Sequence, residues 1–420
     1  MTRLLIQNAT VIDKQSEYFS ERLDILITDG IISNIGSKIS VENDVQVVDG
    51  NGQLLSPGFF DMNANFGEPG LETREDIETG CKAAAAGGFT GVALMPNTQP
   101  PVHSKSEISY ILAKAKGNMV DVFPLGSISH DREGKDLAEL YDMKMAGAIA
   151  FTDGDRPVND ASLMSRALLY SKGFDGLIFS YAEDKNIAAK GIMNEGVTST
   201  LLGLKGNPAL AEELMVIRDI YLAEYNDSRI HFSTITTAKS VELIRQAKRK
   251  GLKVTCDVAV HHLFFTDELL SGFDSNYKVR PPLRTGADAK ALLAGLKDGT
   301  IDAIVTQHTP LESEYKNVEF EIAYNGIIGL QTALPMALKA GLSPELLVEK
   351  LALNPRKILN LQIPQIGVGS PANLILFDPK AVWTYSLANN LSKSSNTPCI
   401  GQELVGKITL VSNNNKIFLS

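Results

Sequence analysis

Three textures of apolar and polar positions follow one another along the chain. Up to about residue 53, short apolar runs (Leu4–Ile6, Val11–Ile12, Asp24–Ile27, Val45–Val48) are separated by Asp29-Gly30 and Asp49-Gly50. Such dipeptides close hairpins, so residues 1–53 are expected to form part of a small β domain. From 54 to 365, apolar runs of four to six residues alternate with segments of helical period. Leu54–Asp61 is the first expected strand. Gly91–Met95, Val120–Leu125, Ala148–Phe151, Gly176–Phe179, Arg229–Phe232, Lys253–Val258 and Ile301–Val305 follow. Among the helices, Ala238–Lys250 carries Val241, Ile244 and Ala247 near one face and ends before Gly251. Strand–helix alternation of this length predicts a (β/α)8 TIM-like barrel of α/β class. Beyond 366 strands return (Ala372–Phe377, Val405–Leu410, Lys416–Leu419). They are expected to complete a β-sandwich domain built from both termini.

Composition narrows the function. The chain has 420 residues, 44% hydrophobic and 21% charged, and its 40 Lys and Arg against 49 Asp and Glu give a net charge of −9. That balance argues against nonspecific binding to nucleic acid or to an anionic membrane. No run of eighteen apolar residues predicts a transmembrane helix. Cys81, Cys256 and Cys399 are too few and too widely spaced for a disulfide framework, so the chain reads as a reduced, cytoplasmic protein. No phosphate-binding loop, dinucleotide fingerprint or Gly-x-Ser-x-Gly nucleophile motif is present.

A barrel places its chemistry at the C-terminal ends of its strands. The first of these ends reads Pro57-Gly58-Phe59-Phe60-Asp61-Met62-Asn63-Ala64-Asn65-Phe66-Gly67-Glu68-Pro69-Gly70. Further segments follow in order: Met95-Pro96-Asn97-Thr98, Met193-Asn194-Glu195-Gly196, His261-His262-Leu263, Pro281-Pro282-Leu283-Arg284, Lys297-Asp298-Gly299-Thr300 and Asn396-Thr397-Pro398. Together they resemble the amidohydrolase superfamily, and within it dihydroorotase of the type that associates with aspartate carbamoyltransferase. The resemblance runs through nearly the whole chain. It implies an amidohydrolase barrel and, in the family, a metal-bound hydroxide that opens or closes a cyclic amide. Bound metal lowers the pKa of water from about 15.7 to roughly 7, which that reaction needs near neutral pH.

The departures from the family pattern fall on the residues that carry this chemistry. The two metal-binding His positions of the first strand are Asn63 and Asn65, a later His position is Tyr181, and the fourth, counted back from Val241, is Thr234. His231 is three residues away, on the other face of its strand, and is not promoted to ligand. The proton-accepting Asp position is Gln307, and an amide cannot act as a general base. The Arg that holds the substrate carboxylate is Gly67, and Arg280 stands where the family usually has Asn. Asp153 matches the family's metal-bridging carboxylate. It reads first as a structural remnant and second as part of an altered ligand site.

These readings lead to definite expectations. The metal positions Asn63, Asn65, Asp153, Tyr181 and Thr234 hold no zinc, no cofactor is bound, and no residue is catalytic. Asn97 and His308 remain as vestigial substrate contacts, although a hydrogen-bonded barrel residue is the simpler reading of His308. Asn63, Asn65 and Tyr181 are expected to form a neutral cluster filling the emptied pocket, and one of these or Arg280 to donate to Asp153. The leading function is a non-catalytic dihydroorotase-like protein of pyrimidine biosynthesis, acting as structural or regulatory partner of aspartate carbamoyltransferase in a homo- or hetero-oligomer. The alternatives are an active dihydroorotase or cyclic amidohydrolase with a rearranged site, and a small-molecule binding protein.

Overall fold

A computed structural model describes residues 3–41 and 44–420. Among the described residues, eight strands form one terminal sheet. In spatial order it runs Lys416–Leu419, Glu403–Asn413, Leu374–Thr384, Leu54–Pro57, Arg3–Val11, Arg22–Thr28 and Ile31–Gly36, with Gln46–Asp49 also pairing with Arg3–Val11. The two ends of the chain therefore meet in a single sheet. Alternating apolar residues (Leu4 and Ile6, Leu374 and Leu376) bury one of its faces in a shared core with Ile25 and Leu410.

Leu54–Pro57 joins the two halves of the sheet. Leu54 and Leu55 pair parallel with Thr10 and Val11, and Leu54–Pro57 pairs antiparallel with Leu374–Phe377. The expected single strand Leu54–Asp61 is thus two strands in different sheets, and residues 54–57 belong with the termini rather than the barrel. Gly58 marks the break. A Cβ there would lie 2.2 Å from the Thr90 side chain, so only glycine lets the chain pass so close to the next strand.

The barrel strands are Phe59–Ala64, Phe89–Leu94, Asp121–Pro124, Ile178–Ser180, Ile230–Phe232, Val254–Ala259 and Ala303–Val305. They pair in parallel. The expected strand Ala148–Phe151 is reduced to Phe151, which bridges Gly126 and Ile178, and the ring closes where Ala64 bridges His308. Inside, Phe60, Met62, Ala93, Leu125, Phe179 and Val305 form a buried apolar cluster. The outer helices follow the amphipathic pattern. In Ala238–Arg249 the residues Val241, Ile244 and Ala247 are buried, and the Thr237 hydroxyl caps the first turn by accepting from the Ser240 N–H at 3.1 Å. Among the described residues no helix is long and apolar enough to cross a membrane. Cys81, Cys256 and Cys399 are buried and unpaired.

Candidate functional site

A cavity of about 470 Å3 opens at the C-terminal ends of the barrel strands. Its wall is assembled from residues at or just beyond the strand ends: Asn63 and Asn65, Asn97, Gly154, Tyr181, Ser233 and Gln307. Asn63 and Asn65 are two apart and so share a face of the extended chain, as the sequence pattern requires. The rest of the mouth carries Arg132, Arg156, Lys278 and Arg280, with Asp155 and Glu321 as the acidic lining.

The side chains at the positions that bind metal in the family do not bond to one another. The Asn63 amide donates to Ser233 Oγ at 3.4 Å, and the Asn65 amide donates to the His308 carbonyl and to Thr309 Oγ1, both at 3.0 Å. Tyr181 lies 3.5 Å from Glu183, and burial pushes its phenol pKa well above the usual range. The expected neutral cluster is therefore replaced by three separate attachments to the wall. Asp153 finds its donor elsewhere as well. The Ser129 N–H donates to its Oδ1 at 2.9 Å and the Ser129 hydroxyl to its Oδ2 at 2.5 Å. Burial raises the Asp153 pKa, and these two bonds hold it back. Arg280 pairs instead with buried Glu183, which also accepts from Asn207 at 2.9 Å. Burial alone would lower the Arg280 pKa, but Tyr181 and Glu183 outweigh it and the net shift is upward.

Thr234 and His308 stand behind the cavity wall rather than in it. Thr234 donates to Asp257 Oδ1 at 2.8 Å, and His231 Nε2 is 3.0 Å from Asp257 Oδ2, all three buried. His308 Nδ1 accepts from the Gly329 N–H at 3.2 Å, and its ring stands edge-on to Phe66. Asn97 does face the cavity, and its Oδ1 has no hydrogen-bond partner. Gln307 sits at φ +51°, in the left-handed region, and its amide donates to the Arg280 carbonyl at 2.8 Å. Gly67, at φ +70°, is packed so tightly that a Cβ would come within 2.5 Å of the Leu71 carbonyl. No side chain can be accommodated there without moving the loop.

Comparison with known proteins agrees with this geometry at the level of the family. The Dihydro-orotase-like family matches residues 52–240. A dihydroorotase of Geotalea daltonii is 45% identical over 408 residues, covering 96% of each chain, and one of Geobacter sulfurreducens is 46% identical with the same coverage. The chain belongs to the dihydroorotase family. Solved structures of L-hydantoinase (dihydropyrimidinase) from Arthrobacter aurescens and of dihydropyrimidinase from Brevibacillus agri share the fold. Their TM-scores are 0.86 and 0.81, their identities 24% and 22%, and they cover all of this chain and 96% and 95% of their own.

Family membership corrects the expectation that the chain has no cofactor. Dihydroorotases and hydantoinases are zinc-dependent amidohydrolases, so zinc is the metal against which this site must be tested. Zinc takes imidazole nitrogen, thiolate sulfur and carboxylate oxygen. Here the five positions offer two amides, a phenol, a hydroxyl turned to Asp257, and a carboxylate whose two oxygens are both engaged by Ser129. Among the described residues, no three His, Cys, Asp or Glu side chains are grouped as a metal ion requires. The residues present do not fit zinc at the family's position, and no chemical step is derived through it.

Sequence reasoning missed Ser129, Arg132 and Ser233. Arg132 donates through Nε to the Asp153 carbonyl at 2.8 Å and pairs with Asp155, from a backbone at φ +56°. Its signal was faint: a polar loop, His130-Asp131-Arg132-Glu133-Gly134, placed after a strand. Ser129 and Ser233 carry no sequence signal that separates them from any loop serine.

Proposed function

We propose that this dihydroorotase-family chain is a non-catalytic member of the pyrimidine pathway whose barrel mouth no longer runs the cyclic amide reaction. The observation that carries this reading is Gln307. At the position where the resemblance expects a proton-accepting Asp, an amide faces the cavity and is fixed as a donor to the Arg280 carbonyl. Neither end of an amide takes a proton near neutral pH, so general-base catalysis has no agent there. The second departure acts on binding. The backbone at Gly67 has no room for the Arg that would hold a substrate carboxylate, so a bidentate clamp is missing on that side. In this reading the protein acts through assembly, with aspartate carbamoyltransferase as the partner expected from the family resemblance.

The relatives favour a second reading, an active dihydroorotase with a rearranged site. Identities of 43–46% over 96–98% of both chains are high for a protein that has lost its reaction. One experiment separates the two. The full chain is assayed for interconversion of carbamoyl aspartate and dihydroorotate between pH 6 and 8, with zinc supplied and with chelator. The first reading expects no turnover above background in either condition. Zinc-dependent turnover establishes the second. Mixing with the transcarbamoylase at micromolar concentration then tests the partner. A co-eluting complex supports assembly, and separate elution with unchanged transcarbamoylase activity overturns it.

A further inference from the structure

A second cavity, of about 690 Å3, lies at the opposite end of the barrel. Its floor includes Phe60, Gly91 and Asp121, each within the first three residues of its strand. Asn373 and Asn413 of the terminal sheet region close it from above, and the irregular segment 361–365 closes one side. This end of a barrel ordinarily carries packing rather than chemistry, yet the volume falls within the range of small-molecule sites, about 300–1,000 Å3. Arg356 reaches the cavity from the helix Asn354–Ile358 and is 4% exposed. Its Nη1 donates to the carbonyls of Gly58 at 2.7 Å and Ala352 at 2.8 Å, and its Nη2 to Thr90 Oγ1 at 3.0 Å. A guanidinium carries five N–H donors. The Nε–H and one Nη2–H are therefore left without an acceptor among the described residues. All three acceptors are neutral. Asp121 is the acidic group that acts on Arg356 from a distance, and its oxygens accept from the Asn413 amide at 3.1 Å and the Asn414 amide at 2.8 Å. Burial lowers the Arg356 pKa to about 9, so the guanidinium stays charged near neutral pH. A buried charge ordinarily has an opposite charge in contact with it.

We propose that this cavity binds a small monocarboxylate with a flat apolar body. The carboxylate takes the two open N–H groups of Arg356, which is the paired arrangement that a guanidinium offers such a group. The ligand carries one negative charge, because Asp121 on the floor repels a second and so disfavours a dicarboxylate or a phosphate dianion. Its body is apolar, because the walls around the cation include Phe60, Phe123, Leu361 and Ile363. It is flat, because the Phe60 ring lies 5.3 Å from the Arg356 guanidinium and 5.5 Å from the Phe123 ring. A group held by the guanidinium therefore meets aromatic surface, against which a planar body packs best. This site is separate from the cavity at the C-terminal strand ends and stands whether or not that cavity turns over a substrate.

Ligand-detected NMR titration of the full chain tests the proposal with benzoate, acetate and benzamide as probes, and circular dichroism verifies folding of each variant. Benzoate is expected to bind saturably. Acetate, which has the charge without the ring, is expected to bind about tenfold more weakly or worse. Benzamide, which has the ring without the charge, is expected to lose about as much. Arg356→Gln removes the cation but also its bonds to Gly58, Ala352 and Thr90, so a second variant leaves Arg356 in place. Ile363→Trp fills the cavity from the half-buried segment at its side and is expected to weaken benzoate about tenfold or more. Arg280→Ala, in the other cavity, is expected to leave benzoate binding unchanged. A wild type that does not bind benzoate, benzamide binding as tightly as benzoate, or benzoate binding that survives Ile363→Trp would each overturn the proposal.

Discussion

The cavity and the wall behind it are made of similar polar residues and differ in how completely those residues bond to the protein itself. Behind the wall, Asp257 takes Thr234 on one oxygen and His231 on the other, and His231 Nδ1 meets Thr255 at 2.9 Å. Buried Asp61 accepts from the Thr306 N–H at 3.0 Å, from the Thr306 hydroxyl and from the Asn63 N–H. In the cavity the Asn65 and Asn97 side-chain oxygens have no partner, whereas on the side of the wall that carries Asp257 and Asp61 the exception is His308 Nε2, 3.5 Å from Glu75 Oε2 but without a hydrogen bond. Saturated polar groups are scaffold. Groups left open at a concave surface are what a ligand, or ordered water, can use. Two of the family's chemical positions lie on opposite sides of this line: Thr234 belongs to the scaffold, and Asn65, with its side-chain oxygen unpartnered, to the cavity.

Breaking the saturated side has the largest expected effect. Asp257→Ala leaves His231 and Thr234 facing an empty buried site and should cost about 3–5 kcal/mol in denaturant unfolding, as for removal of one partner of a buried pair. A loss below about 1 kcal/mol would show that the network is not the scaffold described here.

The next test uses pH. Burial raises the Asp61 pKa from 3.8 to about 7, against the opposing hydrogen bonds from Thr306 and Asn63. The folded protein therefore retains a proton that the unfolded chain releases. The resulting stability is fully present below about pH 4 and is lost as pH rises through 7. The fall amounts to on the order of 2–4 kcal/mol at 1.36 kcal/mol per pKa unit. Unfolding free energies measured from pH 4 to 8 should show this slope, and Asp61→Asn should remove it. A slope unchanged in the variant would assign it to other groups.

Smaller effects are expected in the mouth. Arg280→Ala deprives Glu183 of its guanidinium but leaves it the Asn207 amide, and Arg280 is a third exposed. The expected loss is about 1–2 kcal/mol in thermal or denaturant unfolding. A loss as large as that of Asp257→Ala would move Arg280 into the scaffold. Smallest of all is Asn97→Ala. It removes an amide whose oxygen bonds to nothing, so stability should stay within about 0.5 kcal/mol of wild type. Destabilisation beyond 1 kcal/mol would mean that the cavity is as saturated as its wall.

Much of this was legible in the sequence. Period-two and 3.6-residue patterns located most strands and the helix Ala238–Arg249, because burial of one face imposes those periods on local sequence. The barrel rule pointed to the end of the first strand, where Asn63 and Asn65 lie, and the family resemblance carried the reading on to Tyr181 and Gln307. Other features were not legible. Leu54–Asp61 reads as one apolar run, and only the packing of Gly58 against Thr90 splits it between two sheets. Ser129 as the donor to Asp153, and Glu183 as the partner of Arg280, join residues 24 and 97 positions apart.

The sequence by itself determined the elements and the class of fold, because each is a property of residue type and local spacing, and its motifs carried the family resemblance that exposes the substitutions at the chemical positions. Tertiary structure alone decided which polar groups are spent on the scaffold and which stay open, since hydrogen bonds between distant segments exist only once the barrel has closed. It likewise decided that one apolar face of the helix Leu210–Asn226 turns inward and the other outward, because the amphipathic period marks both faces and only packing chooses between them.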